Sequence, residues 1–275
     1  MWDKKWFIGS VLLCVLVSAL SLIIYMNATS LSGKGVRPFL IYYGWVPHRD
    51  KEFNGLLLKM RDYPVVVLGS GDEWASSGDW GAVKMLIHKM PNTRFYGYVN
   101  IGVTDHQPDH GLSYFKQALK AWASMNARGV LVDCAGQDYG VSPQRLRVIV
   151  ALAHRNRLLV VINSWNPESA LHAGLRSGDA WLAENWAIAD GHRVNARQEG
   201  ENFTPLPELR ARHIAIWMTA TDDLPPKSAW VRYWVRMTVD RVHGIAIGVA
   251  GPNYSSQTNA VVPASWISRA LDNQL

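Results

Sequence analysis

The chain has 275 residues, which is enough for one large domain or two small ones. Hydrophobic residues make up 48% and charged residues 18%, and this excludes a disordered, coiled-coil or collagen-like chain. The net charge is only +6, without the dense Lys/Arg runs that nucleic-acid binding needs. Two cysteines are too few for a disulfide framework, whereas 13 tryptophans are an unusually large number.

The N-terminal segment is predicted to direct the rest of the chain out of the cytoplasm. Residues 6–26 carry no charge and follow Lys4 and Lys5. At ~1.5 Å per residue, a helix of this length spans a bilayer core of ~30 Å. A membrane anchor and a cleaved signal peptide both fit, and a buried helix of a soluble fold is the third alternative. We therefore divide the chain into an anchor or signal segment (1–30) and an extracytoplasmic domain (31–275), either membrane-anchored or secreted.

From Arg37 onward, short apolar runs rich in β-branched and aromatic residues alternate with amphipathic stretches. Eight runs are predicted to be strands: 38–44, 65–70, 94–102, 129–135, 158–164, 180–186, 213–221 and 245–251. Among the stretches between them, 112–127, 141–156 and 227–242 show the three- and four-residue apolar spacing of helices that pack on a sheet.

This alternation predicts an α/β fold, specifically a (β/α)8 TIM barrel. Strands that alternate with helices pair in parallel through right-handed crossovers, and eight such units match the usual barrel length of ~250 residues. A doubly wound open sheet is the alternative. It usually carries a glycine-rich phosphate turn after the first strand, where this chain has YYGWVPHRD.

Active sites of such barrels lie at the C-terminal ends of the strands. The fourth predicted strand ends at Asp133 and the sixth at Glu184, each directly after an apolar run. Because side chains alternate along a strand, Asp133 shares a face with Leu131, and Glu184 with Leu182. If those faces point into the barrel, the two carboxylates face each other across the C-terminal opening of the barrel.

Further polar and aromatic residues fall at or just beyond the predicted strand ends. The candidate substrate-binding residues are Tyr43, Asp72, Asn100, Asp105, Asp138, Tyr139, Asn163, Trp165, Trp186 and Trp217. Acids and amides that hold hydroxyl groups, together with indoles that stack on sugar rings, are what a carbohydrate cleft needs. Taken singly, such an Asp can also cap a helix, and such a Trp can be core packing, as we expect for Trp122.

Other chemistry has less support in the sequence. His106 and His110 lack a third metal ligand, so we predict no metal site and no cofactor. No G-x-S-x-G elbow of an esterase is present. Cys134 is expected to point away from the barrel interior and to serve in packing. We expect a monomer whose partner is a polysaccharide, with no nucleic acid and with a membrane only through an uncleaved N-terminal helix.

Three segments, FYGYVNIGVT, GVLVDCAGQDYGV and WLAENW, resemble glycoside hydrolase family 114 and the related spherulin-4-like proteins. The resemblance implies an extracellular (β/α)8 glycosidase that cuts α-linked, galactosamine-containing polysaccharides. It assigns the catalytic pair to Asp133 and Glu184, and it maps a polar residue of the third strand region to Asn100 or Asp105. Because the domain is mildly basic, an N-acetylated or anionic polymer is at least as plausible as a cationic amino sugar.

The hypothesis is therefore a glycoside hydrolase with Glu184 as general acid and Asp133 as nucleophile or transition-state stabiliser, although the two roles could be exchanged. Retention and inversion of configuration both stay open. The alternatives are a non-catalytic carbohydrate-binding barrel and a barrel enzyme of unrelated chemistry.

Overall fold

The structure, a computed structural model, describes residues 36–104, 109–186, 188–189, 192–219 and 247–250. They belong to one compact unit that begins at Val36. The predicted anchor or signal segment, the helix predicted over 227–242 and the candidate residue Asp105 lie outside the described residues. Within the described part, no helix is both long and apolar enough to cross a bilayer.

Eight strands of the described residues form a closed barrel: β1 (Val36–Tyr42), β2 (Val65–Leu68), β3 (Arg94–Asn100), β4 (Gly129–Asp133), β5 (Leu159–Asn163), β6 (Ala180–Ala183), β9 (Ala215–Met218) and β10 (Ile247–Ala250). Every neighbouring pair is parallel, and the pairing of β10 with β1 closes the sheet. The predicted α/β barrel is confirmed, and the open-sheet alternative is wrong. A short antiparallel hairpin after β6, which we did not predict, consists of β7 (Ile188–Ala189) and β8 (His192–Arg193).

The described helices follow the strands on the outside of the barrel. They are α1 (Asp50–Met60), α2 (Trp80–Lys89), α3 (Leu112–Ser124), α4 (Pro143–Arg155), α5 (Glu168–His172), α6 (Ala196–Phe203) and α7 (Leu206–Ala211). The two described helices that we predicted are shorter than expected because local signals stop them. The Ser142 side chain accepts a hydrogen bond from the Arg145 amide at the start of α4, and Asn126 has a left-handed φ of 64° just beyond α3.

The barrel interior is filled by side chains from alternate strand positions. Phe39, Tyr96, Leu131, Leu182 and Trp217 belong to this inner cluster. Leu131 and Leu182 therefore face inward, which meets the condition stated above, and the alternation along β4 directs Asp133 to the mouth of the barrel.

A second apolar layer lies between the strands and the helices, and Trp122 of α3 is central to it. Its side chain is fully buried, as predicted, and its indole N–H donates to the Tyr98 carbonyl at 3.3 Å. The ring lies directly on Gly97, where an added Cβ would approach it to 2.1 Å. Only glycine at position 97 lets α3 sit this close to β3.

A buried carboxylate ties three strands together at the N-terminal face. Asp179, just before β6, is 0% exposed and accepts hydrogen bonds from the backbone N–H groups of Val160 at 2.9 Å and Arg176 at 2.8 Å. The Nε2 atom of His154 lies 2.9 Å from its Oδ2 atom. The Asp179 carbonyl also accepts from the amide of Ala215 in β9. Asp179 is therefore a loop residue that holds the starts of β5, β6 and β9.

Candidate active site

Asp133 is held at the mouth of the barrel by two donors from neighbouring strands. Its Oδ2 atom accepts from the Tyr98 hydroxyl at 2.5 Å, and its Oδ1 atom accepts from the Asn163 amide at 2.7 Å. The side chains reach each other because β3, β4 and β5 are adjacent in the barrel. The phenol keeps its proton, since burial and then the Asp133 charge raise the pKa of Tyr98 well above its ordinary value.

Glu184 follows β6 and lies within electrostatic reach of the same region. The pKa of the Cys134 thiol is raised to about 12, mainly by burial and then by the negative charges of Asp133 and Glu184. The pKa of Tyr139 is also raised, first by burial, and the same two carboxylates contribute to that shift. Asp133 and Glu184 therefore both lie within electrostatic reach of Cys134 and Tyr139 on the C-terminal face.

The residue after each acid has an unusual backbone conformation. Cys134 has φ 52° and Asn185 has φ 49°, both in the left-handed region. Asn tolerates this region well, but it is uncommon for Cys. Backbone strain of this kind clusters at functional sites. The left-handed conformation of Cys134 and Asn185 also explains why β4 and β6 end earlier than the predicted strands 129–135 and 180–186, since the chain turns away from the sheet at these two residues.

Cys134 lies beside Asp133 and Asn100 at the candidate site, and its expected role in packing stays a prediction. Its side chain is buried, and the Asn100 amide donates to its Sγ atom at 3.5 Å. Because the pKa of the thiol is raised to about 12, almost none of it is the reactive thiolate at neutral pH.

An accessible aromatic pair lies beside the acids. The Trp165 side chain is 42% exposed, and its indole N–H donates to the Tyr139 hydroxyl at 2.8 Å. Across the mouth, the ring of Tyr43 meets that of Tyr98 edge-on, with centroids 5.5 Å apart. The structure thus brings the predicted residues Tyr43, Tyr139 and Trp165 to the same end of the barrel as the acids.

The prediction that Trp186 and Trp217 stack on a sugar is wrong. Trp186 is only 1% exposed and packs edge-on against Trp181 and Phe203. Trp217 is 8% exposed and lies within the barrel against Phe39 and Tyr96. Both indole faces are covered by other rings, so neither can stack on a sugar.

Asn100 and Asp138, two further predicted residues, lie at the C-terminal face but are not among the donors to Asp133 described above. Asn100 is the register partner of Asp133, and its Oδ1 atom accepts from the Gly102 amide at 2.9 Å, which shapes the turn after β3. Asp138 is exposed in a short 3-10 helix (Gln137–Tyr139) and lies near Gly136.

Three acids occupy the loop after β2, namely Asp72, Glu73 and Asp79. The pKa of Asp72 is raised to about 7, mainly by burial and then by the charges of Asp79 and Glu73. Burial also raises the pKa of Glu73 to about 7, although hydrogen bonds to its carboxylate, including one from the Gly71 amide at 2.9 Å, oppose the shift. The predicted residue Asp72 lies near Gly69, beside Tyr43, at the edge of the barrel mouth.

These raised pKa values predict that stability depends on pH. A carboxyl group whose pKa is higher in the folded state holds its proton longer there, so the free energy of unfolding falls as pH rises from about 4 to about 7. Glu73→Gln removes the negative charge that the buried Glu73 carboxylate carries at high pH. We expect the substitution to raise the free energy of unfolding at pH 8 by about 2 kcal/mol, with little effect at pH 4. Urea denaturation at both pH values measures this.

Glu201→Gln is the matched control, since Glu201 is exposed and its ion pair with Arg197 lies on the surface of α6. Its effect is expected to stay within about 0.5 kcal/mol at either pH. A Glu73→Gln protein that is less stable than wild type at pH 8 would show that the fold requires the charged carboxylate.

Sequence reasoning missed two of these residues. Tyr98 lies two positions before Asn100 and therefore on the same face of β3, which was a usable signal. No sequence signal points to Glu73, because its burial depends on the conformation of the loop after β2. The Oε1 atom of Glu73 has no hydrogen-bond partner among the described residues. Those residues also contain no group of three or more His, Cys, Asp or Glu side chains that could hold a metal ion.

No protein-family model matches the chain, and no curated protein matches it. Among solved structures, a type I 3-dehydroquinate dehydratase from Clostridium difficile has a similar fold. The TM-score is 0.55, with 9% sequence identity, and the match covers 88% of this chain and 93% of that chain. At this identity the likeness concerns the fold alone, which is that of a TIM-barrel enzyme.

Proposed function

We propose that this protein is a glycoside hydrolase that cleaves an extracellular polysaccharide with Asp133 and Glu184. The observation that carries the proposal is that Asp133, at the end of β4, and Glu184, directly after β6, both follow parallel strands at the C-terminal face of the closed barrel, where the Tyr98 hydroxyl and the Asn163 amide hold Asp133. Glycosidases use two carboxyl groups in this way, one as an acid and one as a nucleophile or base. The segments that resemble glycoside hydrolase family 114 supply both acids.

The surroundings of Asp133 favour its role as the charged partner. Both of its oxygens accept hydrogen bonds, from Tyr98 and Asn163, and an ionised carboxylate can only accept. We therefore assign Asp133 as the nucleophile or as the carboxylate that stabilises the oxocarbenium-like transition state. This leaves Glu184, half-buried just after β6, as the general acid.

In the proposed reaction, Glu184 gives its proton to the glycosidic oxygen as the bond from that oxygen to the anomeric carbon breaks. Asp133 compensates the positive charge that develops on the sugar ring. Water then supplies a hydroxyl group to the anomeric carbon. If the configuration is retained, Asp133 first bonds to the anomeric carbon, and water that gives its proton to Glu184 then displaces the Asp133 carboxylate. If the configuration is inverted, water that gives its proton to Asp133 attacks the anomeric carbon directly.

Trp165 is the proposed sugar platform. Its indole is accessible, and the hydrogen bond to Tyr139 fixes its orientation, so little rotamer freedom is lost when a sugar stacks on it. The proposed location outside the cytoplasm rests on residues 6–26 of the sequence, either as an anchor or as a cleaved signal.

The test is the release of reducing ends from a panel of bacterial and fungal exopolysaccharides by the full-length protein. Glu184→Gln is assayed beside it, together with a pull-down of each polymer. We expect release that is lost in the variant while the polymer still binds. A polymer that both proteins bind without release would instead identify a non-catalytic carbohydrate-binding barrel.

A further inference from the structure

A groove of about 550 Å³ lies outside the barrel wall, between the loop after β1 and helix α1. Its volume is within the range of small-ligand sites, about 300–1,000 Å³. Tyr42 lines this groove and belongs to the layer between strands and helices, whereas the next residue, Tyr43, packs on the inner cluster of the barrel. The groove and the candidate active site are therefore separated by the end of one strand.

An exposed indole forms one wall of the groove. Trp45 is 59% exposed, and neighbouring residues contact both its backbone and its ring. The Tyr42 hydroxyl donates to the Trp45 carbonyl at 2.8 Å, and the ring lies against Gly78, where an added Cβ would come within 3.4 Å of its Cη2 atom. The His48 ring meets it edge-on, with centroids 6.4 Å apart. An accessible indole is suited to stacking on the apolar face of a sugar ring.

The lining of the groove is also basic. Arg49 and Lys59 are its two basic side chains, whereas Glu52 is its only acid among the described residues. The Arg49 guanidinium lies 3.8 Å from Glu52, but both side chains are well exposed, so the ion pair is weak and the guanidinium can exchange partners. A planar guanidinium binds a carboxylate through two parallel hydrogen bonds.

We propose that this groove binds a hexuronate unit of a polysaccharide, with Trp45 stacked on the ring and the positive charges of Arg49 and Lys59 attracting the carboxylate. A neutral sugar would use the indole but gain nothing from the two basic side chains. The inference rests on the proposed function and narrows it, because it implies that the polymer cut at Asp133 and Glu184 contains acidic sugars.

The test uses the full-length Glu184→Gln protein, so that the ligand stays intact. Binding of oligogalacturonate and of its fully methyl-esterified, uncharged form is measured by calorimetry. Trp45→Ala is expected to weaken binding of oligogalacturonate about 10-fold. The double variant Arg49→Ala and Lys59→Ala is expected to weaken it about fivefold, with no effect on the esterified form.

Lys51→Ala is the matched control, since it removes a positive charge from α1 outside the groove. We expect its affinity to equal that of the parent protein. Equal affinity for the charged and the esterified ligand would overturn the inference, and so would absence of binding or equal losses in the control and the double variant.

Failure of the proposed function would look different. If the wild-type chain binds oligogalacturonate through Trp45, Arg49 and Lys59 but releases no reducing ends from any polymer, the groove assignment holds and the hydrolase assignment fails.

Discussion

Asp133→Asn is expected to lower kcat/KM on the polymer that the protein cleaves by about 10³-fold or more, because the variant cannot carry the negative charge that the transition state needs. The substitution keeps the shape of the side chain. Its amide can still bond to Tyr98 and Asn163, since a hydroxyl group both donates and accepts and the Asn163 amide can turn. The loss should therefore fall on kcat, with KM and the melting temperature little changed.

The matched control for this substitution is Asp62→Asn, an exposed aspartate paired with Arg61 just beyond α1. It should retain full activity. Tyr98→Phe gives an intermediate case, since it keeps the carboxylate and removes only one of its two donors, and we expect a loss of about 10-fold. If Asp133→Asn retained wild-type turnover, the assignment of the reaction to this carboxylate would be wrong.

The barrel and its two strand-end acids could be predicted from sequence because both depend on local patterns. Short continuous apolar runs mark the strands, since both faces of a parallel barrel are covered, and a carboxylate directly after such a run is visible without knowledge of the fold. The contacts of those acids could not be predicted in the same way. The bond between Tyr98 and Asp133 depends on the packing of β3 beside β4, which no local pattern specifies.

The two tryptophans that we assigned wrongly illustrate the same limit. Trp186 directly follows the turn at Asn185, a position from which a side chain can face either the solvent or the helices. Its burial is decided by Phe203 of α6, which packs on its ring from 17 residues further along the chain. Sequence position located the residue at the correct end of the barrel, but tertiary packing determined its exposure.

Asp179→Asn is expected to produce the opposite result to Asp133→Asn, with a loss of stability and no loss of turnover. Oδ2 of Asp179 faces both the Arg176 amide and the His154 ring, and its Oδ1 atom accepts from the Val160 amide. An asparagine has only one acceptor oxygen, so its NH₂ group must face at least one backbone donor in a site without water access. We expect the free energy of unfolding to fall by about 3 kcal/mol.

Comparing the stability and the turnover of the Asp179→Asn and Asp133→Asn variants distinguishes the roles of the two ends of the barrel. Urea denaturation measures the stability of each variant, and kcat is measured at a temperature where all of the proteins are folded. Asp179 lies at the N-terminal face, where barrels hold stabilising residues, and Asp133 at the C-terminal face, where they hold catalytic ones. An Asp179→Asn protein with normal stability, or with a kcat reduced as far as that of Asp133→Asn, would contradict this division of roles.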